Sequence, residues 1–147
     1  MKKIAVMGYG VVGSGVVEVF YKNRESIQRK AGVKMDIKWI FNRSPRPGDP
    51  YEDKLVHDFA PVIQDDEIDI VVEAMGGVEP AYTYVRQCLE NGKSVVSSNK
   101  ELVAAKGAEL LHLARENNQN FLFEASVGGG IPIIRPLHQC LGANMID

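Results

Sequence analysis

The first residues that could do chemistry are the glycines of GYGVVG, residues 8–13, which have the spacing GxGxxG. They follow an apolar, strand-like run and open a segment with helical apolar spacing. Gly8 would permit a tight turn, Gly10 would let backbone approach a pyrophosphate, and Gly13 would let the helix pack on the sheet. The helix dipole and its first N–H groups favour phosphate there. We therefore predict a dinucleotide site, against the alternative of a glycine-rich turn without a ligand.

A second candidate follows the next strand-like run, which ends in FNRS, residues 41–44. NAD-selective sites often place a carboxylate at this point to accept a hydrogen bond from the ribose 2′-hydroxyl, and none is present here. Arg43 can instead bind a 2′-phosphate through two N–H groups and lie over a flat adenine. This favours NADP over NAD, with NAD still possible. The alternative is a solvated loop arginine, and Arg46 is a second candidate with a weaker case.

Two more strand-like runs end in polar or small residues. The run IDIVVEA is followed by MGG, where small residues after Met75 would let backbone meet a nicotinamide ribose; a plain turn is the alternative. Glu73 is expected to be a carboxylate with a backbone or hydroxyl partner. The run SVVSS is followed by Asn99 and Lys100. Lys100 could act in acid–base chemistry or as a fixed positive charge, or it could be a surface lysine that opens the next helix.

The last candidate is the glycine run of FEASVGGGIPIIRP, residues 123–136. Backbone carbonyls in a tight turn, with one carboxylate, are hard oxygen donors that suit a hard cation rather than zinc. The glycines could also only let the chain turn beneath a ligand, and the residues by themselves favour that turn.

Strand-like and helix-like segments alternate along the chain, which predicts an α/β, Rossmann-type doubly wound parallel sheet in a single domain over residues 1–147. The loop 43–53 is rich in proline. The predicted strands are residues 3–8, 35–42, 68–74, 94–98 and 121–125. The predicted helices are residues 11–30, 80–90, 100–117 (a hairpin or kinked helix interrupted at Gly107) and 131–141.

Composition limits the functional classes. The 147 residues are 45% hydrophobic and 24% charged, which is typical of a globular domain. The net charge of −2, without a basic run, argues against a nucleic-acid or anionic-membrane partner. Cys88 and Cys140 fit reduced core thiols, and the three histidines show no metal-ligand spacing. No signal peptide or membrane-span pattern is visible, so a cytoplasmic protein is expected.

The motifs GYGVVGSGV, VVEAMGG, SSNKELVA and FEASVGGGIPIIRPL, in this order, resemble the N-terminal nucleotide-binding domain of homoserine dehydrogenase. The resemblance spans nearly the whole chain, and the last motif is its most specific part. It implies NAD(P)-dependent interconversion of L-homoserine and L-aspartate 4-semialdehyde, a step in threonine, methionine and isoleucine biosynthesis.

The resemblance also implies residue roles. Lys100 would be catalytic, orienting substrate or cofactor and assisting proton transfer. A monovalent cation, usually sodium in this family, would be bound by Glu124, Val127, Gly129 and Ile131. The implied cofactor-binding residues are Gly8, Tyr9, Gly10, Val11, Val12, Gly13, Arg43, Met75, Gly76, Ser98, Asn99 and Lys100.

Members of this family continue with a catalytic and dimerisation domain, so the full-length enzyme is expected to be a homodimer. Because that domain does not follow residue 147, we expect the 147-residue chain to bind dinucleotide without turnover. Two alternatives stay open: the cofactor domain of another amino-acid or semialdehyde dehydrogenase, and a stand-alone NAD(P)-sensing regulatory module. A sensor would have a natural stop at Asp147, whereas an enzyme's reading frame would continue.

Overall fold

A computed structural model describes residues 1–123. Six strands form one sheet in the order β3-β2-β1-β4-β5-β6, and every neighbouring pair is parallel. The strands are β1 (Lys2–Met7), β2 (Met35–Phe41), β3 (Leu55–Val56), β4 (Ile68–Glu73), β5 (Ser94–Ser97) and β6 (Phe121–Phe123). The helices are α1 (Val11–Lys22), α2 (Arg24–Ala31), α3 (Ala60–Ile63), α4 (Ala81–Glu90) and α5 (Lys100–Glu116), with a 3₁₀ turn at Glu52–Lys54. The predicted Rossmann-type sheet is confirmed.

The central strands are buried on both faces, which is why their sequences are continuous apolar runs. In β1, Ile4 and Val6 pack into the core beneath α1 and α2. The alternate residues Ala5 and Met7 pack into the opposite core, beneath α4 and α5. Strand order changes direction between β1 and β4, so the crossover connections diverge there and leave a crevice at the carboxyl ends of these strands.

Two helix predictions were wrong in detail. The segment 11–30 forms two helices rather than one, because Asn23 lies between them with φ −116° and donates its side-chain amide to the Val19 carbonyl. The apolar pattern still continues, since Ile27 of α2 packs into the same core as α1. Conversely, α5 is one continuous helix without a break at Gly107. A single glycine costs a helix only about 1 kcal/mol, and the buried Leu102 and Leu110 on either side outweigh it.

The shortest elements were missed. The strand β3 has two residues and α3 has four, which is too few for either apolar period to show. The predicted strand ends at 8, 42, 74 and 98 each lie one residue beyond the observed ends. Positions 124 and 125 and the predicted helix 131–141 lie outside the described residues. None of the helices within residues 1–123 is long and apolar enough to cross a membrane.

Two glycines fix how α1 begins. Gly8 has φ +103°, a left-handed conformation, and a Cβ there would lie 2.9 Å from the Ala74 carbonyl oxygen. A Cβ on Gly13 would lie 1.8 Å from the Gly8 carbonyl oxygen, which is backbone that cannot move aside. The first turn of α1 can therefore pack this closely over the end of β1 only without side chains at these two positions.

We predict opposite effects for the same substitution at two positions of α1. Gly13→Ala should lower the free energy of unfolding by about 3 kcal/mol or more, because backbone must shift to admit the methyl group. Gly15→Ala is the matched control: a Cβ there meets nothing within 4 Å, so alanine should stabilise the chain by about 0.5–1 kcal/mol. Urea unfolding of both variants measures the difference, and equal effects would contradict this packing.

Candidate functional site

A cleft of about 350 Å³ opens at the carboxyl ends of β1, β2 and β4. It lies where ligands bind in open α/β sheets. The structure thus brings the glycine turn, the Arg43 loop and the Met75–Gly76 turn to one place. Its lining residues are Gly8, Tyr9, Gly10, Phe41, Asn42, Arg43, Ala74, Met75, Gly76 and Pro80.

Volume does not distinguish this cleft from others. Two larger clefts, of about 440 and 530 Å³, run along α2 and are lined by residues between 21 and 34. One includes Lys34, whose carbonyl accepts a hydrogen bond from the Lys2 N–H at the amino ends of β1 and β2. These clefts lie towards the amino ends of the strands, whereas a Rossmann-type fold binds its ligand at the carboxyl ends.

The amino end of α1 is open towards the cleft. Its N-cap, Gly10, provides no side-chain hydrogen bond, and the first turn carries no acidic residue. The first N–H groups of a helix lack partners within it, so those of Val11, Val12 and Gly13 are available to an acceptor. A Cβ on Gly10 would meet nothing within 4 Å, so packing within the chain does not require glycine there. The arrangement fits a phosphate group that approaches the backbone closely.

Tyr9 anchors the loop that carries Arg43. Its N–H donates to the Asn42 side-chain oxygen at 3.3 Å, and its hydroxyl donates to Asp49 at 2.8 Å. Burial, followed by the bond to Asp49, raises the pKa of Tyr9 to about 12, so this hydroxyl keeps its proton. The Arg46 guanidinium lies 5.8 Å from the centre of the Tyr9 ring, a cation–π contact.

Arg43 is the arginine that remains available at the cleft. It is exposed, and no carboxylate among residues 1–123 lies within ion-pair distance of it. Arg46, by contrast, is engaged with Tyr9. The loop geometry therefore favours Arg43 over Arg46 as the residue that could meet an anionic group.

A buried carboxylate joins the two neighbouring strand ends. Glu73 ends β4 with no exposed surface, and its oxygens accept from the Ser97 hydroxyl at 2.5 Å and the Met75 N–H at 2.9 Å. The Asn99 amide donates to the same carboxylate at 3.3 Å. Burial raises the pKa of Glu73, while these three hydrogen bonds oppose the rise. The expectation that Glu73 finds backbone and hydroxyl partners is confirmed.

Asn99 connects this network to the helix that carries Lys100. Its side-chain oxygen caps α5 by accepting from the Leu102 N–H at 3.1 Å, and its amide also donates to the Gly77 carbonyl at 2.6 Å. Asn99 is 5% exposed, whereas Lys100, the first residue of α5, is exposed. Ser98 donates its N–H to the Glu73 carbonyl at 3.2 Å. Lys100 therefore begins α5 next to this network, and it is not among the residues that line the cleft.

A family model described as "Homoserine dehydrogenase, NAD binding domain" matches residues 8–124. The chain belongs to this family. The resemblance read from the sequence motifs is thereby confirmed, and NAD binding is the property that the family description carries.

Several homoserine dehydrogenases are similar to this chain. That of Pseudomonas aeruginosa is 40% identical over 146 residues, covering 99% of this chain and 34% of its own length. A crystal structure of the S. aureus enzyme has a TM-score of 0.78 at 42% identity and covers 90% of this chain and 34% of its own. The crystal structure of the enzyme from Thiobacillus denitrificans has a TM-score of 0.78 at 39% identity. The match covers 97% of this chain and 33% of that one. The chain spans about a third of the length of these relatives.

The predicted cation ligands Glu124, Val127, Gly129 and Ile131 lie outside the described residues. Within residues 1–123 there is no group of three His, Cys, Asp or Glu side chains that could hold a metal ion. Cys88 is a buried free thiol whose pKa burial raises to about 12, as expected of a core cysteine; Cys140 is not described.

Sequence reasoning missed several contacts at the site. It gave no role to Asn42 or Asp49, although both hold Tyr9, and it did not place Pro80 in the cleft. Tyr9 is separated from Asn42 by 33 residues and from Asp49 by 40, so no local pattern could connect them. The sequence signal for this contact is Asn42 itself, which has an amide at the strand end where NAD-selective sites often have a carboxylate.

We predict that Glu73 gives folding stability a specific pH dependence. Since its folded-state pKa is raised, the folded state binds more protons than the unfolded state above pH 4.5, the ordinary value. The free energy of unfolding of the wild type should therefore fall, relative to Glu73→Gln, as the pH rises from 4.5 through the raised pKa of Glu73. Over that range the free energy of unfolding falls by at most about 1.4 kcal/mol per pH unit.

Urea unfolding of both chains between pH 4.5 and 8 measures this difference, and the contributions of other groups cancel. A difference that does not vary with pH, or that grows in favour of the wild type, would contradict a raised pKa at Glu73.

Proposed function

We propose that this chain binds NADP as the cofactor-binding part of a homoserine dehydrogenase, which interconverts L-homoserine and L-aspartate 4-semialdehyde. The observation that carries the proposal is the uncapped amino end of α1, with the bare Gly10, opening onto the same cleft as Arg43. Family membership supports the reaction.

Each group of residues at the carboxyl ends of the strands has a proposed task. The N–H groups of residues 10–13 hold the pyrophosphate beside Tyr9, whose own N–H donates to Asn42, and Arg43 meets the adenosine 2′-phosphate. The nicotinamide side is formed by Met75, Gly76, Ser98 and Asn99. Because the Asn99 side chain is buried and bonded to Glu73, Gly77 and Leu102, we assign it to positioning this surface.

The bound dinucleotide supplies hydride transfer between its nicotinamide C4 and C4 of the substrate. Lys100 is the catalytic candidate of this chain. Its ammonium group is exposed at the start of α5, where it can approach a substrate oxygen, stabilise developing negative charge and deliver or accept a proton.

Further features rest on the family resemblance. They are a sodium ion at Glu124, Val127, Gly129 and Ile131 and a homodimeric full-length enzyme. The preference for NADP over NAD rests on Arg43 and on the lack of a carboxylate in FNRS, residues 41–44. A cytoplasmic location and a role in threonine, methionine and isoleucine biosynthesis belong to the same proposal.

We predict that Arg43→Ala weakens NADP binding by about tenfold to a hundredfold, as expected for loss of a charged hydrogen-bonding partner of the 2′-phosphate. NAD lacks that phosphate, so its affinity should change little. Calorimetric titration of the 147-residue chain with both dinucleotides tests this, with Arg29→Ala on α2 as the control. Equal losses for NADP and NAD would exclude Arg43 as the 2′-phosphate ligand, and no binding of either to the wild type would refute the proposal.

Gly10→Ala separates binding from folding. The free energy of unfolding should change by no more than about 0.5 kcal/mol, because the added methyl group meets no atom of the chain. Dinucleotide affinity should fall at least about tenfold, since the methyl group blocks close approach of a phosphate to the helix N–H groups. Gly15→Ala, in the same helix, should leave affinity unchanged. Wild-type affinity in Gly10→Ala would place the phosphate elsewhere.

A further inference from the structure

Glu73 is a buried acid that the proposed reaction does not use. Its side chain has no exposed surface, and within residues 1–123 it forms no ion pair. Burying a carboxylate without a cation is costly, and a chain normally does so only where hydrogen bonds or a ligand compensate.

The hydrogen bonds around Glu73 are those of an ionised carboxylate. The Met75 N–H and the Asn99 amide can only donate to it. The Ser97 hydroxyl donates to Glu73 at 2.5 Å, while its oxygen accepts from the Asn99 N–H at 3.1 Å. Every partner thus offers a proton, and none of them neutralises the negative charge.

The position of Glu73 relative to a dinucleotide follows from the sheet order, and this step rests on the proposed function. Arg43 follows β2 and takes the adenosine end, while the pyrophosphate lies at α1, which follows β1. The sheet continues from β1 to β4 and β5, so the nicotinamide end must lie over these two strands. Glu73 ends β4, directly opposite Ser97 of β5 in the strand register.

We propose that the Glu73 carboxylate makes the dinucleotide site favour the oxidised nicotinamide over the reduced one. The oxidised ring carries a positive charge and the reduced ring is neutral. A fixed anion beneath the ring therefore stabilises one form and not the other, while the rest of the cofactor is the same in both. For unit charges roughly 10 Å apart at an effective dielectric constant of about 20, the attraction corresponds to roughly a tenfold preference.

The other charged groups beside the carboxyl ends of β4 and β5 are exposed. They are Lys100 and Glu101 at the start of α5 and Glu79 before α4, whereas β1 contributes Met7 and β5 contributes Ser97. Water screens exposed charges, and the single cation and two anions partly offset one another. The buried Glu73 charge is screened least.

The test is the ratio of the dissociation constants of NADPH and NADP⁺ for the wild type and for Glu73→Gln, measured by calorimetry at pH 8. The ratio should fall by about threefold to tenfold in the variant, chiefly through weaker NADP⁺ binding. Asp69→Asn removes the same charge at the amino end of β4 and should leave the ratio unchanged. A ratio unaltered in Glu73→Gln, or altered equally in Asp69→Asn, overturns the inference.

The wild type provides a second measurement that does not require the variant to fold. Burial raises the pKa of Glu73 above the ordinary 4.5, so more than half of the carboxylate is protonated by pH 4.5 and the preference for NADP⁺ should decline as the pH falls from 8 to 4.5. The 2′-phosphate is common to both forms and cancels in the ratio. A ratio independent of pH counts against the inference. Failure of the wild type to bind either form would instead refute the proposed function.

Discussion

The close approach of backbone between Gly8 and Gly13 is the constraint on which the rest of the site depends. No Cβ fits between the Gly8 carbonyl oxygen and the first turn of α1, nor between Gly8 and the Ala74 carbonyl. These two contacts hold the amino end of α1 directly over the ends of β1 and β4. The helix N–H groups therefore open onto the cleft that Arg43 and Met75 also line.

A second constraint acts across the neighbouring strands. The Glu73 carboxylate accepts hydrogen bonds from the Met75 N–H and from Ser97 of β5, and so links the Met75 turn to β5. Asn99, at the start of α5, donates both to this carboxylate and to the Gly77 carbonyl. One buried side chain thereby sets the relative position of the surface assigned to the cofactor and of Lys100. Replacing it by an apolar residue would remove the burial cost of the charge and would also release three hydrogen-bond donors inside the sheet.

The sequence predicted those elements whose conformation depends on the local spacing of residue types. The glycine spacing and the apolar runs predicted the turn, α1 and the buried strands, because tight turns and two-sided burial restrict residue type. Elements of two to four residues, such as β3 and α3, were not predictable, since they are too short for a period. The bonds from Tyr9 to Asn42 and Asp49 and from Glu73 to Asn99 join distant segments, and only the fold brings them together.

The proposed function requires the dinucleotide to bind at the carboxyl ends of the strands. The most direct measurement is an NMR titration of the isotope-labelled 147-residue chain with NADP. We expect the amide signals of Gly10–Gly13, Arg43, Met75–Gly77 and Ser98 to shift together with one dissociation constant. The signals of residues 32–34, at the opposite end of the strands, should stay in place. Shifts confined to the clefts along α2, or spread evenly over the chain, would contradict it.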